Sequence, residues 1–201
     1  MHKLQNINYD YSQVIVYYIS DNNKRTICDM KKLLIICLTT LLFLTSCVTK
    51  PAGINPVQGF QADKYLGKWY EIARLDNRFE KGMTHINAEY SLNSDGSIKV
   101  LNSGVNAGST TRSYAEGVAK FVENSNTGFL KVSFFGPFYG AYVVFKVDDD
   151  YKYAYVAGGK GKDYLWLLSR TKTVPNEIKE DFIARSNNLG FDTDKLVWVK
   201  Q

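Results

Sequence analysis

The feature that most constrains this chain is a series of short stretches, each alternating apolar and polar residues and closed by turn residues, recurring from residue 68 to residue 170. Side chains of an extended strand point to opposite faces in turn, so such alternation marks half-buried strands. The pattern predicts strands over approximately 68–76, 84–93, 97–103, 111–122, 128–135, 139–147, 152–158 and 163–170. Asn93-Ser94-Asp95-Gly96 carries a hairpin signal, since glycine readily takes positive φ. Eight strands with short connections favour an all-β fold, an eight-stranded antiparallel up-and-down barrel, because closure removes exposed edges. A β-sandwich is the alternative. The 14 Tyr, 11 Phe and 3 Trp also suit pleated surfaces.

Alternation predicts which residues point inward. With Lys146 outward, Tyr139, Ala141, Val143 and Phe145 fall on the inner face; with Lys131 and Ser133 outward, Leu130, Val132 and Phe134 do. Asn87, Glu89 and Ser91 outward leave Ile86, Ala88, Tyr90 and Leu92 inside. Arg112, Glu116 and Lys120 outward leave Ala115, Gly117, Ala119 and Phe121. The first strand does not sort, since Trp69, Glu71 and Ala73 share a face. After the strands, Pro175 opens a predicted helix with Glu177, Glu180 and Asp181 toward its N-terminus. Ile178, Phe182 and Leu189 form its apolar stripe, Gly190 its C-terminal stop, and 196–199 a last short strand.

The N-terminal part reads as an address. Met30-Lys31-Lys32 precedes roughly a dozen largely apolar residues, the pattern of a secretory signal, and the run is shorter than the roughly 20 residues a membrane span takes. Its end, Leu44-Thr45-Ser46-Cys47, resembles the lipobox of bacterial lipoproteins. That resemblance implies cleavage after Ser46, a diacylglyceryl thioether on Cys47 and anchoring by two or three acyl chains. Val48, rather than Asp, after the cysteine implies sorting to an outer membrane, facing the periplasm. The expected organisation is residues 1–29 as an extension or a start assigned too early, 30–46 as signal peptide, 47–59 as lipidated cysteine and tether, and 60–201 as the barrel domain.

A net charge of +5, scattered along the chain, provides no basic stripe for nucleic acid. Beyond Cys47 there is no cysteine, hence neither an internal disulfide nor a thiolate cluster in that part. His85, the lone histidine of the exported part, reads as a surface or hairpin residue. Gly158-Gly159-Lys160-Gly161-Lys162 lacks the Ser/Thr of a phosphate loop, and Asp148-Asp149-Asp150 reads as a solvated turn. No metal and no cofactor are expected.

Tyr65-Leu66-Gly67-Lys68-Trp69-Tyr70-Glu71-Ile72-Ala73-Arg74 resembles the opening strand of a lipocalin, with its Gly-x-Trp. Asp150 to Ala154 and Asp163-Tyr164-Leu165-Trp166-Leu167-Leu168-Ser169-Arg170 resemble two further lipocalin blocks, and Lys131 to Gly140 narrows the likeness to the bacterial outer-membrane branch, relatives of apolipoprotein D. The resemblance implies an eight-stranded antiparallel barrel (a calyx) with one C-terminal α-helix on its outside. Gly67, Trp69 and Arg170 would form a structural floor, the guanidinium packing over the indole. The implied ligand is a fatty acid, lysophospholipid or similar lipid, held for storage or transport in envelope upkeep under stress. Some members pair, so a homodimer is an expected partner.

Within such a calyx the candidate ligand-binding residues are Trp166, Tyr139, Tyr90, Phe134, Val143 and Phe145; the alternative is that these rings merely fill the barrel. Catalysis needs an activated nucleophile or acid–base pair. One His, no free thiol and no Gly-x-Ser-x-Gly make an enzyme the weaker reading, with buried carboxylate–tyrosine chemistry at Glu71 as its residual form. A tetrapyrrole carrier lacks an inward His or Cys ligand, and a filled barrel serving protein contacts is the remaining alternative. No enzymatic activity is expected.

Overall fold

The computed structural model describes Lys32 and residues 48–201; the expected extension, the rest of the expected signal peptide and Cys47 lie outside the described residues. Residues 48–201 form one compact unit. A single-turn helix α1 (Ala62–Tyr65) leads into β1 (Gly67–Leu75), β2 (Thr84–Leu92), β3 (Ile98–Val105), β4 (Arg112–Phe121), β5 (Phe129–Phe135), β6 (Phe138–Val147), β7 (Tyr153–Gly158) and β8 (Tyr164–Ser169). Helix α2 (Asn176–Asn188) and a short β9 (Leu196–Trp198) complete the chain. Each strand pairs antiparallel with the next, β8 pairs with β1, and β1 pairs with β2, so the sheet closes on itself. β9 pairs with the end of β1, Leu196 facing Leu75.

Two apolar clusters share the barrel wall. The inner one gathers Phe60, Tyr65, Trp69, Tyr90, Val100, Ala119, Leu130, Val144, Val156 and Leu168. The outer one lies beneath α2, where the fully buried Phe182 packs with Ile72, Val143, Tyr155 and Leu167. The Tyr155 and Phe182 rings meet edge-on at 5.0 Å, and the Tyr155 hydroxyl donates to Asp181 at 2.8 Å. Lys146 and Arg185 also reach Asp181. Burial raises the Asp181 carboxyl, but these three bonds outweigh it and leave it below the usual carboxylate range. Part of the expected tether is packed too. Ile54 is fully buried in the outer cluster, and the Val57 N–H donates to the Val144 carbonyl at 2.9 Å.

The outer cluster explains why alternation misplaces β6. Tyr142 and Val144 point into the barrel, whereas Ala141, Val143 and Phe145 side chains belong to the outer cluster. Lys146 does face outward, over the outward Tyr155 ring. A register shift between Val144 and Lys146 breaks the period of two, so the phase set at Lys146 is wrong for the rest of the strand. A shift between Glu71 and Ala73 has the same effect in β1. Trp69 and Glu71 face inward, Ile72 and Ala73 both join the outer cluster, and Arg74, paired with the inward Trp166, is buried again. Leu92, expected inside, is largely exposed at the end of β2, just before the Asn93–Ser97 turn. The inward residues expected of β4 and β5 are found there: Ala119, Phe121, Leu130, Val132 and Phe134 all join the inner cluster.

Candidate functional site

One end of the barrel is sealed. Gly67 takes φ of 88°, a left-handed conformation open to glycine, and turns the chain into β1 so that Trp69 enters the barrel with no exposed surface. Its indole N–H donates to the Tyr65 carbonyl at 2.8 Å. The Arg170 guanidinium lies 3.9 Å over the indole and donates to the carbonyls of Lys64, Leu66 and Lys68 at 2.7–2.8 Å, and to that of Tyr151 at 3.2 Å. A cation over an aromatic face that also satisfies four carbonyls leaves this end with no room for a ligand.

Above that floor lies a cavity of about 570 Å³, within the range of small-molecule sites. Its wall is mainly apolar, with Val100, Ala115, Val132, Phe134, Trp166 and Leu168 among the lining residues. Toward the mouth stand Phe79, Tyr114, Phe135 and Phe138, each more than half exposed and each lining the cavity. Among the candidate ligand residues, the structure brings Trp166, Tyr90 and Phe134 to the cavity wall. Tyr139, Val143 and Phe145 are corrected: none lines it. Val143 and Phe145 pack under α2, and Tyr139 lies outside with the Lys131 ammonium 5.1 Å from its ring centre.

The wall also carries a polar group that alternation did not single out. Glu71, nearly fully buried, accepts from Arg74 at 3.0 Å. Arg74 reaches on to the Glu80 carbonyl in the loop between β1 and β2 at 2.6 Å. The Glu80 carboxylate accepts from the Trp166 indole at 3.1 Å and from Asn77. Burial first, then the neighbouring Glu80, push the Glu71 carboxyl well above its ordinary range, against the pull of Arg74. Glu71 and Arg74 do stand, with Lys68, as the charged residues of a strand otherwise made of apolar and aromatic residues, which is the signal that could have found them. Glu80 lies in a loop, and nothing in its neighbours announces that the loop folds back over the barrel. Among the described residues, no cluster of three or more His, Cys, Asp or Glu is placed to hold a metal ion.

Known proteins resemble this chain over nearly the whole described part. The family model for a lipocalin-like domain matches residues 60–201. An outer membrane lipoprotein Blc of Vibrio cholerae is 50% identical over 161 residues, covering 80% of this chain and 94% of that protein. The Escherichia coli K12 protein of the same name is 44% identical over 175 residues, covering 86% and 98%. Apolipoprotein D of Macaca fascicularis is 35% identical over 166 residues, covering 79% and 84%. Among solved structures, insecticyanin of the tobacco hornworm superposes with a TM-score of 0.62 at 21% identity, over 77% of this chain and 87% of that one. At that identity the likeness concerns the fold alone.

Proposed function

Since the chain belongs to the lipocalin family, we propose that its calyx carries a fatty acid, lysophospholipid or similar lipid for storage or transport in envelope maintenance. It is an outer-membrane lipoprotein of the cell envelope. In this reading Cys47 bears the acyl anchor, and the protein faces the periplasm. The observation that carries the reading is the cavity itself: about 570 Å³, apolar along its wall, plugged at one end and rimmed by exposed aromatics at the other. An acyl chain suits such a wall because every methylene taken from water is worth roughly 0.8 kcal/mol. Anionic headgroups would stay near the mouth, because the lining residues include two carboxylates and no lysine or arginine.

Trp166 supplies both a ring for the chain and a link to the β1–β2 loop through Glu80, so lipid entry and loop position are coupled at one side chain. Catalysis gains little support. Glu71 is tied to Arg74, and none of the serine or tyrosine hydroxyls lining the cavity is hydrogen-bonded to it among the described residues. The test is a titration of the full chain, carried in amphipol, with oleate and with lysophosphatidylethanolamine, followed by tryptophan fluorescence. Saturable one-to-one binding at micromolar concentration or tighter is expected. No binding by folded protein would overturn the carrier reading and favour a protein partner.

A further inference from the structure

Three tyrosines stand between the Trp69 plug and the cavity, and their hydroxyls form a chain that the carrier reading leaves without a purpose. The Tyr142 hydroxyl lies 2.6 Å from that of Tyr65 and 2.9 Å from that of Tyr90. The rings are locked: Tyr65 packs on Trp69 at 4.9 Å and on Tyr90 at 5.3 Å, and Tyr90 meets Tyr142 at 6.4 Å. Tyr65 and Tyr90 are 2% and 6% exposed, and Tyr90 and Tyr142 line the cavity.

Three hydroxyls bring three protons to two hydrogen bonds. However the protons are arranged, one O–H has no acceptor, since none of the three oxygens has another side-chain or backbone partner among the described residues. Burial above all pushes each phenol up, Tyr90 to about 12 and the other two well above their ordinary value, so all three remain neutral donors at physiological pH. Phenylalanine would fill the same space without a buried, unpaired donor, a feature that folded proteins avoid. The surplus donor therefore calls for an acceptor from outside the chain, and the cavity is where Tyr90 and Tyr142 open onto one. The wall narrows the acceptor's charge. Glu71 and Glu80 are the charged residues lining the cavity, and Arg74, the cation beside them, is bonded to Glu71 and to the Glu80 carbonyl. A carboxylate or phosphate drawn down to the floor would be desolvated past these two acids with no lysine or arginine among the lining residues to meet it.

We propose that the calyx takes a second class of ligand, a lipid with an uncharged oxygen (hydroxyl, carbonyl or ester), bound oxygen-first with that oxygen on the Tyr90–Tyr142 hydroxyls. Its hydrocarbon chain runs outward past Phe134 and Trp166 to the aromatic rim, the reverse of a fatty acid whose carboxylate stays at the mouth. This rests on the calyx being a lipid site.

The test uses the full chain in amphipol at pH 7.5, with 1-tetradecanol, pentadecane and tetradecanoate delivered from cyclodextrin to displace a fluorescent fatty acid. Pentadecane replaces the hydroxyl with a methyl and so isolates the oxygen. The wild type is expected to prefer the alcohol to pentadecane by about fivefold, the worth of one hydrogen bond. The Tyr90→Phe/Tyr142→Phe double variant should lose that preference, its alcohol-to-pentadecane ratio falling to about one. Equal binding of alcohol and alkane by the wild type overturns the inference, as does a preference that survives the double substitution, and both leave the carrier reading standing. Displacement by none of the three overturns both. The wild-type comparison decides the matter even if the double variant does not fold.

Discussion

The two ends of the barrel are built from the same residue types to opposite effect. At the floor, the Trp69 indole N–H meets a carbonyl and the Arg170 guanidinium meets four. Toward the mouth, aromatics of similar size stand exposed, and the charged residues on the wall are two acids, one of them pushed off its ordinary pKa by burial. The Trp69–Arg170 plug beneath the tyrosines, bonded in this way, is rigid and indifferent to ligand. A wall with partly compensated groups responds to what enters it. The difference teaches that an indole is a structural or a binding residue according to whether its ring is enclosed, as in Trp69, or faces the cavity, as in Trp166.

Trp69→Ala should break the comparison most severely. Removing a fully buried indole also strips Arg170 of its stacking surface, and the expected loss is about 3–5 kcal/mol in urea-melt stability. Trp166→Ala should act the other way round. Partly buried, it should lose about 2 kcal/mol of stability, while lipid affinity falls more than tenfold, as read by displacement of a fluorescent fatty acid. Reversed outcomes for the two tryptophans would mean that the binding end has been misassigned.

Glu71→Gln sharpens the contrast through pH. A carboxyl whose folded pKa is raised above its unfolded one costs nothing at low pH. Its cost appears as pH rises through the unfolded value, about 4.3, and levels off above the folded one. The wild type should therefore lose stability relative to the amide variant as pH rises above about 4.3, read as diverging urea midpoints. Parallel urea midpoints across that range would show that Arg74 holds Glu71 ionised after all. The smallest effect is expected at the rim. Phe138→Ser, at an exposed side chain, should change stability by less than about 0.5 kcal/mol while slowing lipid transfer from vesicles in a stopped-flow assay. Unchanged transfer would separate the rim from lipid uptake.

Much of this was legible before any coordinates. The strand boundaries, the hairpin turns and the helix behind Pro175 follow from local periodicity and turn chemistry, and each lies within a few residues of its expected place. Trp69 and Arg170 could be paired because a known sequence block brings them together. The calyx residues were legible only where a strand keeps one phase throughout. Phe134 in β5 and Tyr90 in β2 were placed correctly on the wall, whereas β6 was inverted by its bulge, taking Tyr139, Val143 and Phe145 out of the site and bringing Tyr142 in. Its outer face is also covered by α2, so apolar residues there do not distinguish inside from outside.

The sequence by itself determined eight strands in an order that favours a barrel, because alternation, turns and short connections are local properties that every copy of such a chain must obey, and its resemblance to a lipocalin implied the sealed end. Only the tertiary structure decided what the cavity presents. The tyrosine chain joins residues 65, 90 and 142, and the acid pair on the wall joins β1 to a loop that folds back over it. Such groups meet because closure of the sheet brings distant residues to one place, and an extra residue in a bulge, unmarked in composition, sets which side chains arrive there.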